Sequence, residues 1–212
     1  MVTFPSDVQP YSMSQFSGND WGIGWEVDSA RCAVLIHDFL PYYLKVLPQS
    51  LVAELEQSCG RLITCSREAS IPLITSAPRP AYQLYQRGLG ARLWGKGPTL
   101  EESEERIIDG LSEPEVPCMR KRSLSAFYGT DLEIEMRRAG KDQLVILGVF
   151  TGGGILATSF DALARDIECF VVSDGTADFT EKRHAQALSQ IGETTGQIIS
   201  QASFLERILK KG

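Results

Sequence analysis

The sequence predicts an α/β domain, a three-layer, doubly wound and mostly parallel sheet, and three observations predict it. Unbroken apolar runs such as "CAVLIH" (32–37) and "QLVILGVF" (143–150) read as strands buried on both faces, as in a parallel sheet. Segments with helical spacing separate them. Strand and helix alternate about five times along the chain, the pattern of strands joined by helical crossovers.

The elements follow in order. Residues 1–29 form an N-terminal arm rich in Pro, Ser and Gly that still carries Phe4, Tyr11, Phe16, Trp21 and Trp25. That many aromatics predict an arm packed on its own domain or on a neighbour. The domain proper occupies 30–212. After the strand at 32–37, "PQSLVAELEQSCGRLITCSREA" (48–69) places Leu51, Leu55, Cys59 and Leu62 on one helical face, with Pro48 in its first turn. "IPLIT" (71–75) is a second strand, and a Pro- and Gly-rich stretch of unusual length runs from Ser76 to Pro98.

"LEESEERIIDGL" (100–111) reads as a short acidic helix or turn and "VPCMRKRS" (116–123) as a more polar strand. A helix over 129–142 turns Leu132 and Met136 inward and stops at Gly140. The strand at 143–150 runs into "TGGG", and a helix follows over 153–166. "IECFVVSDG" (167–175) is the last strand, "TEKRHAQALSQIGETTGQIIS" (180–200) a helix, and "ASFLERILKK" closes the chain.

The bulk properties exclude some functions. A net charge of -6 over 212 residues argues against a surface built to neutralise nucleic-acid phosphates or anionic membranes. A few local cations can still dominate a pocket, so a small anionic ligand fits. The cysteines at 32, 59, 65, 118 and 169 are odd in number and form no CxxC. They read as reduced, mostly buried thiols of a cytoplasmic protein, with Cys32, Cys118 and Cys169 in or beside apolar runs. His37 and His184 have no partners at ligand spacing, so no metal is expected. The N-terminus has neither a basic start nor an apolar core, and no apolar run approaches the ~18 residues of a membrane span.

In a parallel sheet, ligands bind beyond the carboxyl ends of the strands. Three such ends carry chemistry here: His37–Asp38, Arg120–Ser123, and Thr151–Gly154. Asp38 follows a fully apolar run, where burial opposes a carboxylate charge and a nearby cation favours it. A helix cap or solvated turn is its plainer reading, as a solvated basic turn is for Lys121. His37 reads as a core histidine or one behind the site. The glycine run could cradle a phosphate, but neither G-x-x-x-x-G-K-[ST] nor G-x-G-x-x-G is present.

"AVLIHDFLPYYL" (33–44), "QRGLGARLWGKG" (86–97), "MRKRSLSAFYGTDL" (119–132), "GKDQLVILGVF" (140–150) and "VSDGTADFTEKRHAQAL" (172–188) together resemble the isochorismatase-like hydrolases, within them most nearly the phenazine-pathway isochorismatases. The resemblance covers nearly the whole domain and implies the isochorismatase-like, or cysteine hydrolase, fold. It also implies hydrolysis of an enolpyruvyl ether in secondary-metabolite or antibiotic biosynthesis, without a cofactor, by a homodimer. Residue by residue, Asp38 falls on the family's catalytic Asp, Lys121 on its Lys, and Gly154 on the position of the cysteine nucleophile. Isochorismatases similarly carry glycine there, leaving room for a cyclohexadiene ring. Arg87 matches a carboxylate-binding arginine and Trp94 an apolar wall. Tyr42, Phe150, Thr151 and Gly152 complete the implied substrate contacts.

The family's segment reads like G-V-Y-A-H-[VI]-G, so Phe150 replaces a tyrosine, Thr151 an alanine and Gly152 a histidine. Ala77 or Pro78 stands where the family has a glutamine. These changes should alter specificity sharply. Two readings follow: hydrolysis of isochorismate, 2-amino-2-deoxyisochorismate or a related ether, or the same fold recruited to other chemistry or to binding.

Overall fold

Alternation along each strand, the simplest consequence of β geometry, divides the core in two. Val34, Ile36, Val145, Leu147, Phe170 and Val172 pack into one apolar cluster, and Ala33, Leu35, Leu144, Ile146, Cys169 and Val171 into another. The sheet therefore has a buried core on each face, which is why its strands read as unbroken apolar runs.

The computed structural model describes residues 5 and 8–209. Seven strands run β1 (Trp21–Gly22), β2 (Cys32–His37), β3 (Leu73–Pro78), β4 (Cys118–Lys121), β5 (Gln143–Val149), β6 (Glu168–Ala177) and β7 (Gly196–Ile199). Their order in the sheet is β1-β7-β6-β5-β2-β3-β4. All pairings are parallel except β1 with β7. The helices are α1 (Pro41–Leu44), α2 (Gln49–Glu68), α3 (Gly90–Trp94), α4 (Leu100–Glu104), α5 (Leu132–Arg138), α6 (Leu156–Leu163), α7 (Glu181–Thr194) and α8 (Gln201–Leu209). Residues of α2 and α8 join the first cluster, and those of α5, α6 and α7 the second. This is the doubly wound α/β sheet that the alternating pattern predicts.

Three local expectations change. The helix expected over 180–200 ends at Thr194, and Gly196–Ile199 is a fully buried strand. Helical spacing continues through Ile191 and Ile198, but tertiary pairing with β6 decides the second half. The long stretch from Ser76 holds the end of β3, a 3-10 turn at Leu84–Arg87, and α3. Cys118 is half-buried and accepts a hydrogen bond from Arg106 at 3.1 Å.

The aromatic arm lies against its own domain. Tyr11 Oη accepts from the Asp178 amide at 2.9 Å and contacts His184 Nδ1 at 3.2 Å. Met13 N donates to Glu54 at 2.8 Å, and Ser173 Oγ donates to the Phe16 carbonyl at 2.6 Å. Gly192 on α7 leaves the space that the Trp21 indole fills. Phe4 and the closing Lys210 and Lys211 lie outside the described residues. Among the described residues, no helix is long and apolar enough to cross a membrane.

Candidate active site

The carboxyl ends of β2 to β6 meet at one cavity of about 210 Å³. That is below the roughly 300–1,000 Å³ of drug-sized ligand pockets and suits a one-ring compound. Each strand end delivers a lining residue: Asp38 after β2, Pro78 at the end of β3, Lys121 at the end of β4, Phe150 after β5, and Phe179 two residues past β6.

Asp38 sits in the left-handed region, with φ of 50°, a conformation that Asp tolerates better than most side chains. Its carboxylate is nearly buried, with 6% of the residue exposed. Oδ2 meets Lys121 Nζ at 2.8 Å, and Oδ1 accepts from Ser76 Oγ at 3.0 Å. The Asp38 amide donates to the same Ser76 oxygen at 3.2 Å. Lys121 is also buried and donates to the Ser123 carbonyl at 3.1 Å. Both charges are thus paired in a site of low polarity, where a two-point hold fixes the carboxylate's direction.

His37 lies fully buried behind Asp38. Its Nδ1 is 3.0 Å from the Val149 carbonyl; a carbonyl can only accept, so Nδ1 carries the proton. Burial pushes the imidazole down to about 4, so the ring is neutral near pH 7 and adds no charge to the Asp38–Lys121 pair. The ring occupies the space beside Gly154. A Cβ on Gly154 would come within 2.9 Å of His37 Nε2, nearer still to Cε1, and within 3.1 Å of the Leu124 carbonyl oxygen. The resemblance implied that this glycine leaves room for a substrate ring; the room on its Cβ side belongs to His37.

The other residues expected at the site divide. Arg87, Trp94, Tyr42, Phe150 and Gly152 line the cavity with Asp38, Lys121 and Gly154. Thr151 does not: it is fully buried, and its hydroxyl has no hydrogen-bond partner among the described residues. Gly152 contributes main chain only. A side chain there would point at Asp178, 3.0 Å from its Oδ2, and toward α7. At the place of the family's glutamine, Pro78 faces the cavity while Ala77 is fully buried. The Arg87 side chain packs over Gly97, and its buried Nε has no hydrogen-bond partner among the described residues.

Sequence reasoning missed Ser76, Tyr43, Phe179 and Arg183. Phe179 stacks on Phe150 with centroids 4.1 Å apart, and Tyr43 meets Phe150 edge-on at 5.9 Å, forming an aromatic wall. Burial pushes the Tyr43 hydroxyl up, with Asp38 adding to the effect, so it stays a neutral phenol. Burial likewise raises Tyr42. Ser76 lies inside an ordinary-looking strand, and nothing in "LITSAP" marks it. The lining carries Arg87, Lys121, Arg122 and Arg183 against one carboxylate, Asp38, so the cavity favours anions despite the chain's negative total. No cysteine is among these lining residues, and no cluster of metal-ligating side chains occurs among the described residues.

Comparison with known proteins bears on the family and the fold. The model of the isochorismatase domain matches residues 32–203. The chain belongs to the isochorismatase family. It is 33% identical over 183 residues to phenazine biosynthesis protein PhzD1 of Pseudomonas aeruginosa, covering 86% of this chain and 88% of that one. It is 31% identical over 205 residues to the isochorismatase of Bacillus subtilis, covering 95% of this chain and 66% of that one. Among solved structures, a cysteine hydrolase from Pseudomonas syringae superposes with a TM-score of 0.78 at 18% identity, over 90% of this chain and 98% of that one. A pyrazinamidase/nicotinamidase from Streptococcus mutans gives 0.67 at 22% identity, over 79% and 99%. These two share the fold. As an isochorismatase-family hydrolase close to the phenazine-pathway proteins, the chain has its cavity at the strand ends where the sheet topology predicts one.

Proposed function

We propose that this isochorismatase-family hydrolase cleaves an enolpyruvyl ether of an isochorismate-type cyclohexadiene, such as isochorismate or 2-amino-2-deoxyisochorismate, by acid catalysis from Asp38. The observation that carries the reading is a buried carboxylate held by Lys121 at 2.8 Å and Ser76 at 3.0 Å in a cavity whose lining holds no cysteine. With glycine at position 154 and its Cβ side filled by His37, no side chain at that position can form an acyl-enzyme. A vinyl ether needs none.

A substrate carboxylate entering this cationic cavity competes with Asp38 for Lys121. Asp38, released from that pairing, carries the catalytic proton. Asp38 then delivers that proton to the terminal vinyl carbon, and the ether carbon becomes an oxocarbenium ion. Water adds to that carbon and returns a proton to Asp38. The hemiketal breaks its C–O bond to release pyruvate and the ring alcohol, with one water consumed. Arg87, whose buried Nε has no partner among the described residues, holds a carboxylate and fixes the vinyl carbon over Asp38. Trp94, Tyr42, Tyr43, Phe150 and Phe179 wall the ring.

The same reading places the enzyme in the cytoplasm, in secondary-metabolite biosynthesis, as an arm (1–29) on a catalytic domain (30–212). It acts as a homodimer, for which the exposed Tyr82, Leu84, Tyr85 and Leu89 offer an apolar face; a strict monomer in sedimentation would remove that part. The main test is pyruvate release from both substrates, coupled to lactate dehydrogenase, with Asp38→Asn alongside. Release that falls by about 10²- to 10⁴-fold in the variant supports the mechanism. No release from either substrate by the folded wild type would reject it in favour of a recruited fold.

A further inference from the structure

Arg183 has no part in the acid mechanism above, yet the fold holds its guanidinium at the cavity with care. Its Nε meets Asp178 Oδ1 at 3.2 Å, and its Cζ lies 5.1 Å over the centroid of Phe179. Phe179 is in turn fixed by its stack on Phe150. Asp178 is fully buried and accepts from the amides of Gly152 at 2.5 Å and Phe179 at 2.7 Å. A rigid carboxylate and a ring face thus orient the cation, and half of the side chain remains exposed. Beyond these two contacts the Arg183 side chain makes no polar contact among the described residues, which leaves its Nη donors for a ligand.

Strand order places this cation apart from Arg87. Arg87 follows β3 and Arg183 follows β6, while β2 and β5, carrying Asp38 and the glycine loop, run between them. Three strand spacings separate β3 from β6, about 14 Å at the level of the sheet. Both arginines nevertheless line one cavity. Two guanidinium groups entering from opposite sides of a central acid match a ligand with two separated anionic groups, each suited to a planar donor fork. The loop permits this: a Cβ at position 152 would crowd Asp178, so glycine there lets the main chain close on Asp178, and Arg183 supplies the polar contact on this wall.

We infer that Arg183 is a specificity-determining residue that binds the substrate carboxylate not held by Arg87, making the site a reader of cyclic dicarboxylates. The inference rests on the proposed substrate class, but its test does not need turnover. Calorimetric Kd values would be measured for 3-(carboxymethoxy)benzoate, a stable aryl ether with two carboxylates. The monocarboxylates 3-methoxybenzoate and phenoxyacetate, each lacking one, provide the comparison. The wild type should bind the dicarboxylate about tenfold tighter than the better monocarboxylate, the scale of one charge-assisted contact. Arg183→Gln should erase that advantage to within about twofold. Arg183→Lys, which keeps a charge beside Asp178 and guards against a folding defect, should retain only part of it. An equal preference for mono- and dicarboxylates in the wild type, or an advantage unchanged in both variants, would overturn the inference. Dicarboxylate preference without any pyruvate release would instead reject the hydrolytic reading and leave the role of Arg183 standing.

Discussion

Gly154→Ala is the most direct probe of why the nucleophile position is empty. The added Cβ would fall within 2.9 Å of His37 Nε2 and 3.1 Å of the Leu124 carbonyl, and closer to His37 Cε1. Neither neighbour can yield easily. His37 is fully buried and tied through Nδ1 to the Val149 carbonyl at 3.0 Å, and a carbonyl is main chain. Overpacking of this kind costs about 1–3 kcal/mol, and each kcal/mol shifts Tm by roughly 2–4 °C in a chain of this size. Gly154→Ala should therefore melt about 2–12 °C below the wild type. His37→Ala opens a cavity and is destabilising by itself, but it removes the clash, so the double variant should be more stable than the two single losses sum to. The coupling should be about 1–3 kcal/mol, read by chemical denaturation of all four proteins. Additive losses, or a Gly154→Ala variant that melts with the wild type, would refute the claim that His37 fills this space. The same argument predicts that Gly154→Cys fails to install a cysteine hydrolase, because the thiol has no room without displacing the imidazole.

Further expectations concern the paired charges, the buried rings and the arm. Lys121→Met leaves the buried Asp38 carboxylate without its cation, and should cost roughly 3 kcal/mol in urea unfolding near pH 8; a smaller loss than Lys45→Met at the exposed Lys45–Glu102 pair would contradict it. Burial lowers His37 to about 4 and His184 to about 3, so below pH 6.5 the unfolded imidazoles bind protons that the folded ones refuse. Stability should fall as pH drops from 6.5 toward 4, by as much as about 1.4 kcal/mol per pH unit for each ring, and a pH-independent urea midpoint over that window would exclude it. Tyr11→Phe removes the acceptor of the Asp178 amide and the contact to His184, and should cost about 1–3 kcal/mol, with faster proteolysis of the arm as the second readout.

The sheet was legible because burial on both faces leaves a mark that no local feature disguises. Cys32–His37, Gln143–Val149 and the start of β6 are apolar at both parities, and both parities find a core. β7 was not legible. "GQIIS" continues the helical spacing of α7, and only the open edge of β6 makes it a strand. β1 is two residues long and exists only because the arm lies along β7. Within the site, Asp38, Lys121, Arg87 and Trp94 could be placed from short motifs in the right order. Ser76, Phe179 and Arg183 could not, because their roles depend on partners 38 residues away, on a ring stack, and on a buried carboxylate.

The glycine run is where the two kinds of information meet, and its three residues have three different causes. Gly154 is glycine because an imidazole already fills the space of its Cβ. Gly152 is glycine because its amide must close on Asp178 at 2.5 Å, where a Cβ would stand 3.0 Å from the same carboxylate oxygen. At Gly153 a Cβ would meet only the Cβ of Phe150, at 3.9 Å, so sterics do not demand glycine there; its small size instead keeps open the cavity that it lines. A substitution series should separate these causes. Gly153→Ala should fold as the wild type does and act on ligand binding, whereas Gly152→Ala and Gly154→Ala should act first on stability. The sequence shows one motif, but the structure makes it two packing constraints flanking one functional position.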